Sequence, residues 1–79
     1  MGEFGKHFRA ARVAAGLKQT TAARLLGVTQ STISQYENDR VAPTLDTVVR
    51  MASVYGCSID RLCGLEADGL IVKTIAKEG

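Results

Sequence analysis

Glycine and cap residues cut this chain into short pieces. Gly16, Gly27 and Gly56 mark breaks, the turn residues from Asn38 to Pro43 divide the longest interval between them, and Thr29, Thr44 and Ser58 stand where new elements would begin. Glycine closes a helix because it accepts the left-handed backbone at no steric cost, and a Ser or Thr oxygen caps the free N–H groups of the next one. Only one proline, Pro43, interrupts, and Ala and Leu are common. The spacing therefore predicts five helices. They run from about Glu3 to Ala15, from about Lys18 to Leu26, from Gln30 to about Glu37, from about Leu45 to Tyr55, and over "IDRLC", Ile59 to Cys63. "NDRVAP", Asn38 to Pro43, reads as a loop by its turn residues.

Helical periodicity then nominates a core. Phe4, Phe8, Ala11 and Ala15 share a stripe on the first helix, and Ala22, Ala23 and Leu26 form the inner face of the second. Leu45, Val48, Ala52 and Tyr55 face inward on the fourth, with Val49 and Met51 on its flanks, and Ile59 and Leu62 reach in from the fifth. The expected class is an all-α, five-helix domain over residues 1–64. Residues 65–79 differ in character: "LIVKTI", Leu70 to Ile75, is β-branched and apolar and follows an Asp68–Gly69 break. A helix would place Leu70, Ile71, Thr74 and Ile75 on one face, whereas propensity favours a strand. An apolar strip of this kind is commonly covered by a second copy, so this tail is a candidate dimerisation segment.

Several function classes fall away. Cys57 and Cys63 lack metal-ligand spacing and His7 is remote from both, so no metal and no cofactor is expected; two small buried thiols are the simpler reading. There is no nucleophile–base–acid set and no glycine-rich phosphate loop, which argues against an enzyme and leaves no small-molecule substrate evident. Met1 to Arg12 has no apolar core segment, and no apolar run approaches the roughly 18 residues that span a bilayer. A cytoplasmic protein without a membrane partner is expected.

What remains is charge and one unusual helix face. Net charge is only +2, but from Phe4 to Asn38 the basic residues Lys6, Arg9, Arg12, Lys18 and Arg24 face Glu37 alone. That asymmetry fits either a polyanionic partner or an ordinary solvated surface. On a wheel of roughly 100° per residue, Gln30, Ser31, Ser34, Gln35 and Asn38 fall on one arc of about 140°, and Thr32, Ile33, Tyr36 and Glu37 on the other. A generic solvated face would be rich in Lys and Glu. Short amides and hydroxyls instead suit neutral donor and acceptor arrays such as base edges in the DNA major groove, although a partnerless polar helix has the same wheel. Two short helices joined by "LGVT", Leu26 to Thr29, have the helix-turn-helix layout, in which the second helix enters the groove.

The stretch "GLKQTTAARLLGVTQSTISQYENDRVAPTLDTVVRMASVYGCSIDRL" resembles the lambda-repressor-like, Cro-type (XRE-class) helix-turn-helix domain over about Phe8 to Leu62. The resemblance rests on Gly16-x-x-Gln19, Ala23, Leu26-Gly27-Val28, Ser31-Thr32, Ile33-Ser34, Glu37, Pro43 and Leu45. It implies a lambda-repressor-like bundle that binds double-stranded DNA. Gln30, Ser31 and Gln35 would read bases, with Thr29 and Ser34 close by, while Lys18, Asn38 and Arg40 touch the backbone. Gln19 would contact a phosphate and brace Gln30, and Arg12 and Glu37 would form a partly buried structural ion pair. Two departures stand out. Ala22 occupies a position where relatives carry a larger aliphatic residue, and Arg61 one where some carry an apolar dimer contact.

The expected function is a sequence-specific transcriptional regulator, a repressor that binds a palindromic operator as a homodimer with residues 30–37 in the major groove. The alternative is an antitoxin-type interaction module whose tail wraps a partner and whose domain autoregulates its promoter.

Overall fold

A computed structural model describes residues 4–65; the predicted tail structure lies outside them. The described chain is all-helical: α1 (Gly5–Ala14), α2 (Gln19–Leu26), α3 (Gln30–Glu37), α4 (Leu45–Tyr55) and α5 (Ile59–Leu62). Among the described residues no helix is long and apolar enough to cross a membrane.

Cap chemistry sets these boundaries. The Thr29, Thr44 and Ser58 side chains accept from the backbone N–H groups of Thr32, Thr47 and Arg61 at 3.1, 3.2 and 3.0 Å. At the close of α2, Gly27 adopts φ 73°, where a side chain would be strained, and two bonds bind the turn: Gly27 N–H to Arg24 O and Val28 N–H to Ala23 O. The same paired pattern closes α1 and α4. Asp39 does this for α3 without glycine, at φ 61°, with Arg40 N–H donating to Gln35 O at 2.9 Å.

Packing places α3 against α1 and α2, and α4 against α1, α2 and α5. Phe8, Ala11, Ala22, Ala23, Leu26, Ile33, Tyr36, Met51, Ala52, Tyr55 and Leu62 make one core. Ala22 is fully buried in it beside larger members such as Phe8, Tyr36 and Met51.

Several predicted core positions are corrected. Phe4 and Leu45 are 51% and 74% exposed, and Ala15 and Ile59 are exposed as well. Phe4 and Ala15 cap the two ends of α1, and Leu45 and Ile59 open α4 and α5, so each lies at a helix terminus rather than in a packed helix body, although Phe4 still stacks on Phe8. Met51, expected on a flank, is fully buried, because the inner face of α4 is centred between Met51 and Ala52. Val48 is only partly buried. Cys57 and Cys63 are half-buried rather than buried.

The start of α1 has no cap from its own sequence. Gly5 N–H donates instead to the Asp39 carboxylate at 2.9 Å, across 34 positions. This close approach requires glycine, since a Cβ at Gly5 would overlap the Glu37 carbonyl. Gly5→Ala is therefore expected to cost about 1–3 kcal/mol, as overpacking does, read as a fall in Tm. An unchanged Tm would mean that α1 does not lie this near to the end of α3.

Candidate nucleic-acid interface

The Gly27 turn sets α2 and α3 as adjacent arms of a helix-turn-helix, and the packing of α3 decides which of its edges is free. Ile33, Tyr36 and Glu37 are buried; Gln30, Ser31, Gln35 and Asn38 are exposed, and Ser34 is half-exposed. The division seen on the wheel is thus present in three dimensions, with half-buried Thr32 between the edges.

The one buried charge, among the described residues, is Glu37, whose side chain is 1% exposed. Arg12 Nε donates to Glu37 Oε2 at 2.6 Å and Arg12 Nη2 to Oε1 at 3.1 Å. Gln19 Nε2 donates to the same Oε1 at 3.0 Å, and Arg9 Nε approaches it at 3.4 Å. Arg12 Nη1 also donates to Leu17 O at 2.8 Å, which holds the α1–α2 turn. Burial pushes the Glu37 carboxyl up, but the hydrogen bonds from Arg12, Gln19 and Arg9 and the Arg12 charge outweigh it and hold the group below its ordinary 4.5. Its hydrogen bond to Glu37 outweighs burial and raises Arg12 in turn. Burial, with the Glu37 charge adding, pushes the Tyr55 phenol up to about 12, so it stays neutral beside the pair.

From Glu37 the bonds continue outward. Gln19 Oε1 accepts from Gln30 Nε2 at 3.3 Å, tying the first residue of α2 to the first of α3. The other expected site residues have different surroundings. The Thr29 hydroxyl is engaged in capping, bonded to the Thr32 N–H and paired with the Thr32 hydroxyl at 3.0 Å. Asn38 closes α3, its Nδ2 donating to Ser34 O at 2.8 Å and Ser34 Oγ at 3.2 Å. Ser31 and Gln35 are exposed along the free edge, and Arg40 lies exposed past its end. Lys18 is the cap residue of α2 but makes no side-chain cap bond, so the first N–H groups of that helix receive no cap from it.

Arg9 belongs to this arrangement and was not among the expected site residues. It sits one turn before Arg12 on α1 and reaches both Glu37 and the Asn38 Oδ1, the latter at 3.4 Å. The i, i+3 spacing of two arginines was the available signal. Asp39 was missed too, since nothing local marks it as the cap of α1.

A helix-turn-helix family profile matches residues 8–62. Over 55 residues the chain is 42% identical to the HTH-type transcriptional regulator PuuR of Escherichia coli (strain K12), covering 70% of this chain and 30% of that protein. Over 60 residues it is 37% identical to the HTH-type transcriptional regulator ImmR of Bacillus subtilis (strain 168), covering 76% and 47%. The chain thus spans less than half the length of these relatives. Its fold matches the crystal structure of the restriction-modification controller protein C.AhdI from Aeromonas hydrophila with a TM-score of 0.72, at 28% identity over 77% of this chain and 88% of that one.

Removing one partner of a buried pair leaves the other charge uncompensated. Arg12→Leu is expected to cost about 3–5 kcal/mol of stability, and an unchanged Tm would refute the role of the pair. The lowered Glu37 carboxyl adds a pH signature. Its contribution is complete above its unfolded value, near 4.5, and is lost as pH falls through the lower folded value. In melts from about pH 7 to about pH 3, the Arg12→Leu/Glu37→Leu double variant should lack this acid loss.

Proposed function

Since the chain belongs to the helix-turn-helix family, we propose that it is a sequence-specific, double-stranded-DNA-binding transcriptional regulator that acts as a repressor. The observation that carries this reading is the uncharged, exposed edge of α3, held at a fixed angle to α2 by the buried Glu37 and the Gln19–Gln30 bond. Short neutral donors and acceptors can match the donor and acceptor pattern of base edges in the major groove. In this reading Thr29, Gln30, Ser31, Ser34 and Gln35 face the bases from α3 in the major groove, with the capping bonds of Thr29 leaving it the smallest share. Lys18, Gln19, Asn38 and Arg40 meet the sugar–phosphate backbone, and the open N–H groups of α2 suit a phosphate. Both relatives described above are named as transcriptional regulators, which supports the same conclusion.

One such domain makes few contacts, so two copies on half-sites about one helical turn apart would multiply affinity. The reading is therefore a homodimer on a palindromic operator, repressing by steric exclusion. Exposed Leu45, Val49 and Ile59 on α4 and α5 supply apolar surface for a second copy, and residues 65–79 are proposed as an added dimerisation segment beyond the 1–64 domain. Truncation after Gly64 separates the possibilities. A dimer lost on truncation supports that role for the tail; a dimer retained while a co-purifying partner is lost supports the antitoxin-type alternative.

Base and backbone residues should also separate. Gln35→Ala should cost about 1–3 kcal/mol and relax preference at one base pair, while Arg40→Ala should weaken binding to all sequences alike and lower the salt slope by about 1. Both are read from binding to a random duplex pool at several salt concentrations. Equal affinity for every sequence at physiological salt would sink the specificity claim.

A further inference from the structure

The core is open on one side. Phe8 and Tyr36, both core members, form the floor of a cavity of about 580 Å³ where the start of α1, the segment after α3 and the end of α5 meet. Phe4 and Val41 stand exposed at its rim, and Asp39 and Gly64 line it too. Among the described residues Asp39 supplies its one carboxylate, whose Oδ1 accepts from the Gly5 N–H. The chain leaves the domain at this opening. Gly64 lies against the His7 ring, and the Leu65 N–H is still bonded to Asp60 O at 2.9 Å. Leu65 is itself exposed, so the apolar rim runs on into the tail. Five positions later the strip "LIVKTI", residues 70–75, begins, within reach of roughly 17 Å from Leu65. Its composition matches the cavity: aliphatic side chains for an aromatic floor, and one cation, Lys73, for one carboxylate.

We propose that residues 70–75 of each copy occupy this cavity on a second copy, so that two tails are exchanged across a dimer. Charge favours the second copy's cavity over the chain's own. A reversal at Asp68–Gly69 would bring Glu66 and Asp68 to the mouth that already holds the Asp39 carboxylate, and like charges there repel. Reaching outward leaves both acidic side chains in water. Exchange also makes the same contact twice under two-fold symmetry, and it is continuous with exposed Ile59 on α5, the helix that leads into the tail. Tyr36 is in α3 and Asp39 lies just past its end, so the incoming tail braces the helix proposed to read DNA. The inference rests on the homodimer proposed above and names the surface on which the tail lands.

The test is sedimentation equilibrium of the full chain, of Val41→Arg, which charges the rim of the cavity, of Val72→Asp, which charges the strip, and of the two variants mixed. The unsubstituted chain should be a dimer. Each variant alone should dimerise more weakly, on the order of tenfold or more, because both of its exchanged contacts lose apolar burial. The equimolar mixture should regain dimer. In a mixed pair the intact tail of the Val41→Arg chain meets the intact cavity of the Val72→Asp chain, and the other contact sets opposite charges together. Val41 is exposed, so the fold should tolerate the change; should Val41→Arg lose its helical circular dichroism, Ala42→Arg, exposed on the same wall, takes its place. Dimerisation unchanged in either variant, or weakened in both without recovery on mixing, would overturn the inference alone; the second is the result of a tail folded into its own cavity. If the unsubstituted chain is a monomer, the homodimer reading fails and the inference with it, an outcome distinct from the other two.

Discussion

Everything in this domain is arranged around a carboxylate that has been taken out of water. Apolar burial is non-directional, so Phe8, Ala23, Leu26 and Ile33 can bring α1, α2 and α3 together without deciding how each is rotated. The bonds to Glu37 decide it. Arg12 and Arg9 arrive from α1 and Gln19 from α2, all converging on the last residue of α3. A buried charge is costly unless its hydrogen-bonding capacity is filled, so an arrangement that misplaces any of the three helices leaves this group short of partners. The core supplies much of the driving force for folding, and the ion cluster supplies the geometry that the exposed edge of α3 needs.

The fold was largely legible in the sequence because helix boundaries are a local matter. Thr29, Thr44 and Ser58 each bond a backbone N–H three residues on, and the bounds expected for α3 and α4 match to the residue. Core membership was legible only in part. Periodicity gives the direction in which a side chain points, but not whether another helix lies there. That is why Phe4, Leu45 and Ile59 failed at helix starts while Phe8, Leu26, Tyr55 and Leu62 held in helix bodies or at a helix end that meets a neighbour.

For the candidate interface the same distinction applies. The free edge of α3 follows from a wheel, since every residue on it belongs to one helix. The Arg12–Glu37 pair, 25 positions apart, was reached through family resemblance and not through any local pattern. Arg9 and Asp39 were missed because their bonds join segments 28 and 34 positions apart. Asp39 is further disguised. It holds the left-handed conformation that a glycine would have announced, and it sits inside a loop whose turn residues already accounted for it.

The contact between Gly5 and Asp39 has a consequence for how α1 takes shape. α1 precedes the other described helices in the chain, yet its start is capped by Asp39 and its Arg12 is paired with Glu37. A helix of ten residues is marginal by itself in water. A stable α1 therefore depends on a segment 34 positions further along the chain. Its helical form is secured only where the end of α3 closes back against it.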